Sequence, residues 1–141
     1  MPEFLSPEWV DAVDRAARGS SALTACASAT PFVLEQRVVC PDGNEAVHHL
    51  ELTQHGARVV AGRAPHPNVV LTTDLDTACR LAQGSVNAQV ALAAGRLRLG
   101  GDIDTLARRA EALLALDDVF AAVRATTTFP GADDAPITSA R

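Results

Sequence analysis

Four histidines, a pair of adjacent serines, three cysteines and a glycine-rich turn are the residues of this chain whose types could support chemistry. His48 and His49 are neighbours. In an extended strand neighbours point to opposite faces, so the two cannot hold one metal ion together. His55 and His66 fall beside turn residues, and no zinc-type ligand spacing joins them. These histidines are expected at the surface or at a sheet edge. Ser20-Ser21 lacks the Gly-x-Ser-x-Gly turn that presents a nucleophilic serine. Gly95, Gly100, Gly101 and Asp102 imitate a phosphate loop but lack its Gly-Lys-Ser/Thr ending and its strand–helix setting. Arg96, Arg98, Arg108 and Arg109 could gather around a headgroup or carboxylate, yet solvated strand and helix faces account for them more simply. The spacing therefore predicts neither a catalytic group nor a metal nor a cofactor.

What must position these residues is an Ala-, Val- and Leu-rich framework. Hydrophobic residues make up 48% of the 141, aromatics only 4%, and tyrosine is absent. That length suits one domain with a real core. A net charge of −5 argues against nucleic-acid partners, which need concentrated cations. Cys26, Cys40 and Cys79 cannot all pair and show no Cys-x-x-Cys spacing, so buried, reduced thiols in a cytoplasmic protein are expected. No apolar run is long enough to cross a membrane. The N-terminal residues lack the basic start and hydrophobic stretch of a signal peptide.

Along the chain, Ser6 caps a helix opened by Pro7 and Glu8 and stopped by Gly19, with Trp9, Val13 and Ala16 on one side. Residues 20–31 read as a poor helix or a loop. A meander follows: Phe32 to Cys40, then Glu45 to Gln54 with Ala46, His48, Leu50 and Leu52 on one face, then Arg58 to Gly62. Ala64-Pro65-His66-Pro67 interrupts the ladder, and Asn68 to Thr73 makes a fourth strand. Thr73 or Asp74 caps a helix closed by Gly84, and Ser85 caps another closed by Gly95. Arg96-Leu97-Arg98-Leu99 alternates as a fifth strand. Asp102 caps a helix carrying Leu106, Leu113 and Leu114, and Asp117-Asp118 restarts it for Val119, Phe120 and Val123. The expected fold is α+β, a five-stranded mostly antiparallel sheet with helices packed on one face. Residues 1–125 form the domain and 126–141 a flexible tail. The uncovered sheet face is left to solvent or to a second copy in a homodimer.

Val69-Val70-Leu71-Thr72-Thr73-Asp74, Gly84, and the run from Asn87 through Gln89 to Gly100-Gly101-Asp102 together resemble the sterol carrier (non-specific lipid-transfer) family. The resemblance rests on their joint order and spacing and spans roughly residues 30 to 120. It implies binding and transport of an apolar small molecule (a fatty acid, sterol or phospholipid) in a cavity between sheet and helices, without catalysis and without stable membrane insertion. The residues it implies as ligand-binding are Val69, Leu71, Gln89, Leu92, Leu97, Leu99, Leu113, Leu114 and Phe120. Gln89 stands where the family has a glutamine near the ligand tunnel, so it either bonds a headgroup or is an exposed helix residue. The family's usual bulky pair after alanine is Leu92-Ala93 here, and the smaller side chains either enlarge the cavity or let neighbours collapse into it. The alternative to a carrier is an interaction module whose core is filled by its own side chains and which works through dimerisation or a partner enzyme.

Overall fold

A computed structural model describes residues 2–26 and 30–129; within a helix, the side chains of Ala88 and Gln89 also lie outside the described set. Helix α1 spans Pro7–Arg18, with the Ser6 hydroxyl accepting from the Trp9 N–H and Pro7 in the first turn. The ambiguous segment after it holds a short helix, α2, at Ser21–Ala25, capped by Ser20. The strands are β1 Phe32–Val39, β2 Glu45–Thr53, β3 Gly56–Ala61, β4 Val69–Asp74 and β5 Leu97–Gly101. Helix α3 covers Leu75–Gln83, capped by Asp74 and closed by Gly84 at φ +80°. Helices α4 (Ala88–Ala93), α5 (Ile103–Arg108) and α6 (Ala110–Arg124) complete the order.

Strand ends shift by one or two residues, and two helix boundaries differ from the sequence reading. Asn87, not Ser85, caps α4, its side-chain oxygen accepting from the Val90 N–H. The last helices break at Arg109, and α6 runs unbroken through Asp117-Asp118. The physical reason lies in Arg109, whose guanidinium donates to the carbonyls of Cys26 and Thr30 and sits 5.6 Å over the Phe32 ring. That tertiary clamp offsets a local kink that propensity alone does not foresee.

The sheet order is β3-β2-β1-β4-β5. The β1–β2, β2–β3 and β4–β5 pairs are antiparallel, and β1–β4 is parallel. Registers Leu34↔Leu50, Leu50↔Val59, Leu34↔Val69 and Leu71↔Leu99 bring the apolar alternates of every strand to one face. Against that inner face pack Trp9, Val13 and Ala17 of α1, Leu23, and Ala112, Leu116, Val119 and Val123 of α6. Asp14 of α1 also accepts the Val59 N–H, which ties the helix to edge strand β3.

The outer face is partly roofed by the β3–β4 crossover. Gly62 O lies 2.9 Å from His49 Nδ1, the Ala64 N–H donates to Glu35, and Asn68 bonds the Val33 backbone in both directions. The turn out of β5 needs glycine: Gly101 has φ +91°, and a Cβ there would strike the Asn68 carbonyl. The Asp102 N–H can thus reach Asn68 O while its carboxylate caps α5. The first residues of the expected tail are docked. Glu3 and Thr128 form a parallel bridge, and Thr127 and Phe129 are buried.

Candidate ligand-binding cavity

Between the inner sheet face and the helices lies a cavity of ≈ 420 Å³. Its sheet wall is Gln36, Val38, His48, Leu71, Thr73 and Leu97; α3 contributes Ala78, Leu81 and Ala82. Helix α6 covers it with Ala110, Leu113, Leu114, Leu116, Asp117 and Phe120. Phe4, Leu5 and Trp9 close a third side. There the Trp9 ring stacks on Phe120 at 5.8 Å and meets Phe4 edge-on at 4.9 Å. The strands supply an alternating apolar floor, and α6 can present one long stripe because it has no break at 117–118.

Of the residues singled out from the sequence, Leu71, Leu97, Leu113, Leu114 and Phe120 line this space. Val69 does not: it is fully buried in the closed core, opposite Leu34 and Gly101. Leu99 packs against the same core outside the lining. Leu92 is 44% exposed on α4 and away from the cavity, so the small Leu92-Ala93 pair neither enlarges nor collapses it. The Gln89 side chain lies outside the described set. Leu114, 72% exposed while still lining the space, marks the mouth, with Asp117 and Asn87 also at the lining. The arginines do not assemble into a headgroup patch. Arg109 holds backbone carbonyls, Arg96 lies 3.8 Å from Asp76, and Arg108 donates to Thr105.

The sequence reading missed the polar part of the wall. His48 and His49, expected at the surface or an edge, are both buried, because β2 is an interior strand, with the Trp9 ring against His48 on one side and the crossover against His49 on the other. His48 Nε2 meets Gln36 Oε1 at 2.5 Å, and its ring stands 5.5 Å from Trp9. A signal was present: His48 alternates in phase with Leu50 and Leu52, and Gln36 with Leu34 and Val38, so both were polar members of a core-facing stripe. Burial, helped by the neighbouring His49, pushes the His48 pKa down to about 4. The imidazole is therefore neutral near pH 7.

Charge is scarce in this space. Arg37 contributes to the lining, but its guanidinium is bonded at 2.6 Å to Glu35 of the outer face. Among the described residues the other charged one at the lining is Asp117. Among the described residues no group of three or more metal-ligating side chains occurs. No helix among them is long and apolar enough to cross a membrane.

Sheet, helical cover and the apolar cavity between them define an α+β class of fold with room for a small apolar guest. The chain belongs to the SCP-2 sterol transfer family, whose model matches residues 33–115, and that membership points to lipid binding or transfer. A crystal structure of sterol carrier protein 2 is 28% identical, with TM-score 0.70 over 84% of this chain and 97% of that one. A Thermus thermophilus protein described as possibly a sterol carrier protein is also 28% identical, with TM-score 0.69 over 92% and 94%. Palmitated SCP2L2 from Aedes aegypti shares the fold at 20% identity and TM-score 0.55, over 82% and 94%. No curated protein matches.

Proposed function

We propose that this chain is a non-catalytic carrier that sequesters one apolar ligand, a fatty acyl chain, sterol or phospholipid tail, beneath α6. The observation that carries this reading is the ≈ 420 Å³ space between Leu71, Leu97 and the α6 leucines, within the roughly 300–1,000 Å³ of small-molecule sites. Each methylene moved from water into it contributes about 0.8 kcal/mol, with no directional partner needed. Helix α6 is the movable cover, since its Leu113 and Leu114 stand between the space and solvent. Open space in this position favours a carrier over a module with a filled core.

The lining supports binding rather than turnover. Among the described residues it holds no serine or cysteine, and Thr73 donates to the Arg96 carbonyl. The three cysteines are free thiols, which suits a reducing, cytoplasmic setting. Native mass spectrometry after incubation with phosphatidylcholine vesicles, palmitate or cholesterol tests the proposal. One retained ligand per chain is expected, and the same spectrum reports whether the chain dimerises. Absence of an adduct with all three, together with no saturable change in Trp9 fluorescence, overturns it.

A further inference from the structure

Resting on the carrier reading, we propose that Gln36 and His48 form a neutral hydrogen-bonding anchor that selects uncharged, hydroxyl-bearing lipids over ionised carboxylates. Both residues line the cavity, on adjacent strands at paired positions. Their single bond to each other is the only hydrogen bond either side chain makes among the described residues. A neutral imidazole has one donor and one acceptor nitrogen, and an amide has both kinds of atom.

Whichever way the amide is turned, the bonded pair keeps at least one donor and one acceptor free. If the imidazole N–H donates to Gln36 Oε1, the amide N–H groups and His48 Nδ1 remain. If the amide donates instead, Oε1, the second amide N–H and the ring N–H remain. A hydroxyl, which donates and accepts at once, complements either arrangement. The indole N–H of Trp9, beside His48, is likewise unpaired among the described residues and is not a sealed-off polar atom.

An ionised carboxylate meets the opposite conditions. It only accepts, so one half of the pair faces it with a lone pair. The Arg37 guanidinium is held by Glu35 on the outer face, and Asp117 repels an anion at the lining. His48 is kept neutral by its burial, so among the described lining residues no unpaired cation offsets the desolvation of the anion. Uncharged heads bearing a hydroxyl carry no such cost.

Trp9 is the only tryptophan of the chain and lies in the cavity wall, so its emission reports occupancy. Titration at pH 7.5 with 1-hexadecanol, hexadecanoate and n-hexadecane, each delivered from cyclodextrin, compares three heads on one chain length. The alcohol is expected to bind at least about tenfold more tightly than the carboxylate, the equivalent of about one satisfied hydrogen bond. Gln36→Met, close in shape and apolar, is expected to cut alcohol affinity several-fold while leaving hexadecane unchanged. Hexadecanoate binding as tightly as the alcohol, or Gln36→Met weakening all three ligands alike, overturns the anchor while the carrier reading stands. If none of the three binds, anchor and carrier fall together.

Discussion

The two faces of the sheet carry nearly the same residues at adjacent positions and treat them oppositely. On the inner face Gln36 pairs with His48; one residue earlier on β1 and one later on β2, Glu35 pairs with His49 on the outer face. The outer pair is closed. Glu35, 1% exposed, accepts from Arg37 and from the Ala64 N–H, and His49 lies between Gly62 O and Glu51. Burial works against the Glu35 charge, but the Ala64 N–H and Arg37 hold its pKa below the usual value. The inner pair is open, one bond satisfying two side chains that could make more. Buried polar groups that are fully satisfied fix a structure, whereas those with capacity left beside an open space can take a further partner.

This contrast predicts a division of effects. Acidification strikes the inner histidine hardest. The unfolded His48 takes a proton near pH 6.5 and the folded one only near pH 4, so the unfolded state binds more protons between these values. Stability from this group is complete above about pH 6.5 and is lost as pH falls toward 4, by up to about 3 kcal/mol. Urea unfolding at pH 7.5 and 4.5 should show that loss, and His48→Gln should shrink it; an unchanged pH slope in the variant would refute the assignment.

On the outer face, Glu35→Ala leaves Arg37 and the Ala64 N–H without their acceptor and should cost about 2–3 kcal/mol. Ligand affinity should stay within about twofold, since Arg37 is the one member of that network that also lines the cavity; a larger loss by Trp9 titration would mean that the two faces are coupled. The smallest effect is expected at the mouth. Leu114→Ser should change stability by no more than about 0.5 kcal/mol, as at other exposed positions, while speeding ligand release measured by stopped-flow transfer to vesicles. An unchanged release rate would move the entrance away from α6.

Much of the architecture was legible because local rules act without tertiary help. Ser6-Pro7-Glu8 opened α1, Gly84 closed α3, period-two alternation marked β2 and β5, and turn residues bounded the other strands. The cavity residues Leu71, Leu97, Leu113, Leu114 and Phe120 were legible from their stripes together with the family resemblance. Val69 and Leu99 carry the same pattern and still lie outside the cavity, because periodicity tells core-facing from solvent-facing but not filled from empty. His48 was misjudged for a related reason. Its phase placed it with the leucines, but its depth depended on β2 becoming an interior strand.

By itself, then, the amino-acid order determined most of the elements, most of their caps and the face each strand turns inward, since these follow from backbone sterics and hydrophobic period over a few residues. Only the tertiary structure decided the parallel β1–β4 pairing, the break at Arg109, and which part of the interior stays open. Those depend on contacts between residues as distant as Arg109 and Cys26, where packing geometry outweighs local preference.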